Sequence, residues 1–281
     1  MNNQLRHVLC TCLFIIFLPQ AAFSSETHYL TMGYKEGSKP PYIGPVGDNK
    51  GAYQELFSQA AQMIGYQLKI VRLPKKRIYQ QLSEGRIDFY PSSGFSLERE
   101  TYLYWLPNGF LSKRALLSKM LNQEITDIYT TKGTLLAPLG SSVEIYATNN
   151  PAIKIQKMGI LPIDKAILAL QLGRGDFYIY DLDTLDYYLK RKKLINFGQI
   201  SLRLHPNAIE KDYSSLQSAF STSSKYFSAT PNPNYSDKEE SSIFNQKKIP
   251  SKGSVAYSFE QALKRLQESG KTKKIYNKHF K

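Results

Sequence analysis

Two stretches of the chain, LSEGRIDFYPS at residues 82–92 and LQLGRGDFYIYD at 170–181, run through the same grammar. Each leaves a helix at a glycine, passes through Gly-Arg, and enters a short aromatic strand in which an aspartate leads. Two copies are too few for a solenoid, so the repeat predicts one supersecondary unit used in two similar lobes. In the first copy Pro91 forbids further pairing inside a sheet, and the chain must turn out at Ser92-Ser93-Gly94. Open α/β sheets bind ligands beyond the carboxyl ends of their strands, which is where this loop would lie. Arg99 follows within reach. Its guanidinium can grip a small carboxylate through two parallel hydrogen bonds, or it can sit in solvent paired with Glu98 or Glu100.

The periodicity around these stretches completes the pattern. Residues 28–34 read as a strand, and 52–64 as a helix with Tyr53, Leu56, Phe57, Ala60, Ala61 and Ile64 on one face and Gly65 as its stop. A strand at 66–73, a helix at 75–84 and a strand at 87–90 follow. This β-α-β-α-β order predicts a doubly wound, parallel sheet with right-handed crossovers. The extended run 110–118 reads as a crossing between lobes, after which the grammar restarts. A strand at 135–138 leads to Gly140-Ser141-Ser142, whose serines can cap the next helix. A strand at 153–156, a helix opened by Pro162 and a strand at 177–180 come next. That strand ends at Asp181, which is also placed to cap the helix from Leu182. Residues 212–254 turn polar. The aromatic island Lys225-Tyr226-Phe227-Ser228 can be the return crossing, and 231–253 reads as a long, partly disordered surface loop. A capping box at Ser258 and Gln261 opens the last long helix, which Gly270 closes. The expected division is a leader at 1–24, a discontinuous first lobe at 25–112 and 224–281, and a second lobe at 113–223.

The leader reading rests on Arg6 and His7, the apolar run 8–18, Pro19 and the small residues after it, with cleavage expected near Ser24. The run is too short to span a bilayer. Cys10 and Cys12, the only cysteines in the chain, lie inside it, so the exported protein has neither a disulfide nor a thiolate metal site. The folded chain must then be held by its core alone, and 281 residues with 42% hydrophobic content can supply one. A net charge of +14 would suit nucleic acid, anionic lipid or peptidoglycan, but export and the lack of a recognition motif argue against nucleic acid. Lysine clusters such as Lys75-Lys76-Arg77 and Lys190-Arg191-Lys192-Lys193 sit beside helical patterns and read as solvated faces. Four scattered histidines, His7, His28, His205 and His279, offer no metal-ligand spacing. No cofactor, no metal and no catalytic group is expected.

Several motifs, in order, resemble those of the family 3 extracellular solute-binding proteins, the amino-acid-type periplasmic binding proteins. Lys39-Pro40-Pro41-Tyr42 resembles the family's Pro-Pro-aromatic loop. Gly85-Arg86-Ile87-Asp88 with Ser96-Leu97-Glu98-Arg99 resembles its Gly-x-Ile-Asp…Thr-Pro-Glu-Arg segment. Lys132-Gly133 with Gly140-Ser141-Ser142-Val143-Glu144 resembles its Gly-Thr-Thr-x-Glu turn, and Gly173-Arg174-Gly175-Asp176 with Asp181 its Gly-Arg-x-Asp…Asp segment. The pattern from Gln261 to Phe280 is similar to its closing helices.

The resemblance implies an α/β fold of the periplasmic-binding-protein type II, two doubly wound lobes joined by two crossing segments and closing on a ligand. It makes Arg99 the clamp for an α-carboxylate and Asp181 the acceptor for an α-ammonium group. Ser142 would donate from a helix N-terminus, with Ser141 and Ser96 beside the ligand. Tyr42 would wall the pocket, or simply pack, and Ser92 and Gly94 would offer backbone groups. Lys35-Glu36, standing near where many members place an acidic residue, counts against a cationic side-chain ligand. The implied function is periplasmic capture of an amino acid or similar small carboxylate by a monomer, for delivery to the membrane permease of an ABC transporter. A ligand-sensing receptor for a membrane signalling partner is the alternative, and a cleft enzyme such as a dehydratase a weaker third.

Overall fold

A computed structural model of the chain, describing residues 27–120 and 123–281, contains two five-stranded sheets flanked by helices. The expected leader lies outside the described residues, with Cys10 and Cys12. Lobe 1 begins with β1 (His28–Lys35), α1 (Ala52–Gln62), β2 (Tyr66–Leu73), α2 (Lys75–Ser83), β3 (Phe89–Tyr90), the short α3 (Leu97–Glu100) and β4 (Leu103–Ser112). One residue later β5 (Arg114–Lys119) opens the second sheet, so the chain crosses at Lys113. Lobe 2 continues with β6 (Gly133–Pro138), α4 (Glu144–Asn149), β7 (Ile153–Met158), α5 (Ile163–Gln171), β8 (Phe177–Asp181), α6 (Leu182–Lys192) and β9 (Leu202–His205). The chain returns through β10 (Ser214–Ser221), forms a small hairpin of β11 (Ala229–Pro231) and β12 (Lys248–Pro250), and ends in α7 (Val255–Glu268) and α8 (Lys271–Phe280).

The strand orders correspond: β2-β1-β3-β10-β4 in the first sheet and β7-β6-β8-β5-β9 in the second. β1 in the first sheet and β6 in the second each pair in parallel with both neighbours. The crossing segments then supply antiparallel strands, β10 between β3 and β4 and β5 between β8 and β9. Because each crossing segment is also a sheet strand, the lobes are joined through hydrogen-bonded structure instead of free linkers.

The repeated Gly-Arg-x-Asp unit does the same work in both lobes. Gly85 and Gly173 leave their helices at φ 69° and 71°, a left-handed turn that glycine adopts without steric cost. Asp88 then accepts the backbone amide of Thr31 at 2.7 Å, and Asp176 that of Thr134 at 2.8 Å. Each carboxylate pins its own strand to the lobe's first strand just before pairing begins. The repeated pattern is therefore a structural joint, and these two aspartates stay out of the cleft.

Alternation across each sheet makes three layers. Phe89, Tyr104 and Phe220 face α1, α7 and α8, while Tyr90, Trp105 and Ala219 face α2. In lobe 2, Leu117, Leu136 and Tyr178 pack with α5 and α6, and Leu116, Leu135 and Phe177 pack towards α4. Successive strand residues point to opposite faces, so one short aromatic run serves two cores. Each fully buried phenylalanine contributes about 1.5–3 kcal/mol.

Three expectations are corrected. The return to lobe 1 falls before residue 214, not at 224, because β10 is hydrogen-bonded in the first sheet from Ser214 onwards. Its serines made it read as loop, yet Ser218 and Ser221 are buried and donate to the carbonyls of Pro91 and Leu82. Small hydroxyls that bond backbone fit where a central strand passes close to its neighbours. The segment 231–253 follows a defined path. Asn245 holds it from within, donating to the Ser236 carbonyl at 2.8 Å and accepting from the Ser236 amide at 2.9 Å. Gln246 bonds both the amide and the carbonyl of Trp105, each at 2.8 Å, as a strand neighbour would. Finally α7 starts at Ser254, whose hydroxyl accepts the Tyr257 amide, four residues before the expected capping box. Among the described residues no helix is long and apolar enough to cross a membrane.

Candidate functional site

The carboxyl ends of both sheets converge on a cavity of about 590 Å³ between the lobes. Lys35 at the end of β1 and Tyr90 at the end of β3 line it from lobe 1, and Pro138 at the end of β6 and Asp181 at the end of β8 line it from lobe 2. The volume lies within the roughly 300–1,000 Å³ of small-molecule pockets.

Of the eight residues singled out from sequence, Ser92, Ser141 and Asp181 line this cavity. Asp181 holds the capping position of α6, but its side chain makes no capping bond; it forms an ion pair with Lys39 from lobe 1. Both side chains are 13% exposed, and the Lys39 ammonium lies 5.1 Å from the Tyr42 ring and 5.5 Å from the Tyr180 ring. Tyr42 does not wall the cavity. It is fully buried, stacked on Tyr53 at 4.8 Å and set edge-on against Phe280 at 4.7 Å, so it supports Lys39 from the core. Its loop folds into lobe 1, where Tyr42 joins the core formed with α1, α7 and α8.

Arg99 is outside the cavity lining. Its guanidinium lies 3.8 Å from the Tyr79 ring centre, and the Tyr79 hydroxyl bonds Ser93 at 3.2 Å. Stacking on a partly desolvated ring is favourable for guanidinium and holds it against Tyr79 of lobe 1. Gly94 and Ser142 are exposed, and neither they nor Ser96 line the cavity. The helix near Ser142 is short and begins at Glu144, with Val143 as cap. Ser141 donates to the Pro138 carbonyl at 2.6 Å, a loop bond that leaves its backbone carbonyl to accept from Lys157.

The structure brings in cations that the motifs did not mark. Lys35, Lys39, Lys75, Lys76 and Arg114 all line the cavity. Arg114 is engaged: its guanidinium bonds Glu210 at 2.7 Å and the Tyr146 hydroxyl at 2.9 Å. Lys35 and Lys75 are half-buried. Burial, then repulsion from Lys39 and Lys75, pushes the Lys35 ammonium down to about 7 against the pull of Asp181. Burial, then Arg99, Lys39 and Lys157, pushes Lys75 down to about 8. The rule that ligands meet strand carboxyl ends could have found Lys35, since it is the last residue of the first strand.

The lobes also meet beside the crossings. Lys113, buried at the first crossing, donates to Asn207 at 2.7 Å near the second, and the Tyr276 hydroxyl of α8 bonds Asp183 of α6 at 2.6 Å. The lobes are therefore joined by hydrogen bonds on both sides of the crossings.

No histidine lines the cavity among the described residues. His205 resembles half of a catalytic dyad, since its Nε2 lies 2.8 Å from the Ser118 hydroxyl. Its Nδ1 accepts the Ile125 amide at 3.0 Å, which in the neutral ring places the proton on Nε2. The ring then donates to Ser118 and cannot take its proton, and both residues are buried. Among the described residues no group of His, Cys, Asp and Glu is placed to hold a metal ion.

The sequence profile of the bacterial extracellular solute-binding proteins, family 3, matches residues 30–281. No curated protein sequence matches the chain. Among solved structures, an ancestral arginine-binding protein bound to arginine is similar with 19% identity and TM-score 0.64, covering 90% of this chain and 98% of its own. An ancestral amino-acid-binding protein described as a precursor of cyclohexadienyl dehydratase is similar with 17% identity and TM-score 0.62, covering 90% and 95%. A histidine kinase sensor domain with similarity to periplasmic binding proteins is similar with 14% identity and TM-score 0.63, covering 90% and 96%. At these identities the likeness is one of fold.

Proposed function

Because the chain belongs to the bacterial extracellular solute-binding proteins of family 3, we propose that it captures a small carboxylate-bearing solute, an amino acid or close analogue, between its lobes. The observation that carries this reading is a cavity of about 590 Å³ to whose wall the strand ends of both sheets contribute. Groups from one lobe can hold part of a solute in the open form, but only approach of the lobes satisfies the rest, so binding favours closure. The protein works in the periplasm after loss of residues 1–24 and passes its solute to the permease of an ABC transporter. On this reading it binds and does no chemistry, which the family's description as solute-binding proteins supports. A signalling role would use the same cleft with a membrane kinase as the partner, and genomic neighbours separate the two. Isothermal titration of the purified protein against amino acids and small carboxylic acids tests the reading. Saturable heat from at least one class is the expected result, and none from any, with the protein shown to be folded, would refute it.

A further inference from the structure

Resting on the cavity as the ligand site, we propose that the solute is a net anion with an acidic group held by Lys35 and Lys75. Five cationic residues line the cavity against two anionic ones, Glu36 and Asp181. Two of the five are engaged within the protein, Lys39 by Asp181 and Arg114 by Glu210. Lys76 and Glu36 are both exposed at the rim. That leaves Lys35 and Lys75, half-buried, arriving from the end of β1 and the start of α2. Neither ammonium has an ion-pair or hydrogen-bond partner among the described residues.

Like charges gathered in a partly desolvated wall are unfavourable: burial first, and then neighbouring cations, Lys39 and Lys75 for Lys35 and Arg99, Lys39 and Lys157 for Lys75, disfavour the charged form of both lysines. A bound anion reverses the sign of that interaction, and charge-assisted hydrogen bonds add to it. The same arrangement disfavours an ordinary amino acid. The carboxylate suited to an α-ammonium group, Asp181, is taken by Lys39, and Glu36, the other lining carboxylate, is exposed. A neutral zwitterion would bring its ammonium into a wall that is already positive, and a cationic side chain would do so twice. A dicarboxylate without an amino group meets no such conflict.

Titration calorimetry with glutarate, L-glutamate, L-glutamine and L-arginine, at or slightly below neutral pH, separates these cases. Glutamate and glutamine share a shape and differ in one charge. The expected result is that glutarate and glutamate bind and glutamine binds roughly tenfold or more weakly, the size of one charge-assisted hydrogen bond. Lys35→Met and Lys75→Met, each checked for folding by circular dichroism and each keeping most of the aliphatic stem, should remove most of the glutamate-over-glutamine ratio. If glutamine or arginine binds as tightly as glutamate and glutarate, the anionic assignment is overturned while the binding role stands. An unchanged ratio in both variants overturns the assignment to these lysines. Failure of all four compounds to bind a folded protein removes the binding role, and this inference with it.

Discussion

Replacing Asp181 with asparagine tests whether the Lys39–Asp181 pair works as a latch between the lobes. The substitution keeps the shape and one acceptor, and it removes the charge opposite Lys39. At roughly 4 Å and an effective dielectric of about 20, the Coulomb attraction is about 4 kcal/mol. Solvation of the separated ions and the neutral hydrogen bond that remains reduce this to a net loss of about 1.5–3 kcal/mol, or roughly 10- to 150-fold. Both side chains are only 13% exposed, so solvent screening does not erase the effect. Because the partners sit on different lobes, opening the cleft relieves the unpaired lysine. The loss should therefore appear in the ratio of closed to open forms and leave global unfolding nearly unchanged.

Spin labels at Lys69→Cys and Lys154→Cys would read that ratio by pulsed electron resonance in the absence of added solute. Both positions are exposed, on β2 and β7, the sheet edges farthest from the crossing strands. With the leader removed, the chain has no other cysteine. Asp181→Asn should shift the distance distribution toward the long population. Lys39→Met should do the same, and the double variant should shift it no further than either alone, the non-additivity expected of a direct pair. An unchanged distribution in Asp181→Asn, or additive shifts in the double variant, would refute the latch.

The repeated aspartates give a stability prediction. Asp88→Ala removes the acceptor for the Thr31 amide and the Ser224 hydroxyl, and should cost about 1–3 kcal/mol in urea unfolding. Asp176→Ala loses only the Thr134 amide among these contacts and should cost less; equal costs, or none, would contradict the joint described above. Lys35 gives a pH prediction. Its folded-state value is lowered from 10.5 to about 7, so between these values the unfolded chain binds more protons and stability should rise with pH. Below about 7 both states are protonated and the full cost of the charged lysine is present. Lys35→Met should flatten the rise in urea unfolding measured across this range, and an unaltered slope would show that Lys35 is not the group responsible.

Much of the architecture was legible in residue order. Helical spacing at Tyr53, Leu56, Phe57 and Ala60, aromatic strands led by Asp88 and Asp176, and glycines at helix ends are local signals. The physical causes behind them, side-chain periodicity and left-handed turns, act within a few residues. The repeat itself disclosed two lobes. By contrast, β10 was invisible because its serines satisfy their hydroxyls on the carbonyls of Pro91 and Leu82, partners supplied only once the sheet has formed.

The cleft was legible in location and not in content. Strand ends pointed to Ser92 and Asp181, and both line the cavity. Whether Tyr42 faced ligand or core depended on Tyr53 and Phe280, rings brought to it by α1 and α8. Whether Arg99 reached the cleft depended on the Tyr79 ring beneath it. Lys39 meets Asp181 only because the two lobes are set against each other across a bonded hinge, and Lys35 nears Lys75 because β1 pairs with β2 in a register that puts Lys35 opposite Leu73. Sequence spacing carries the first kind of information, since the backbone enforces it. The charge that a cavity presents is set by which side chains the tertiary structure pairs and which it leaves alone.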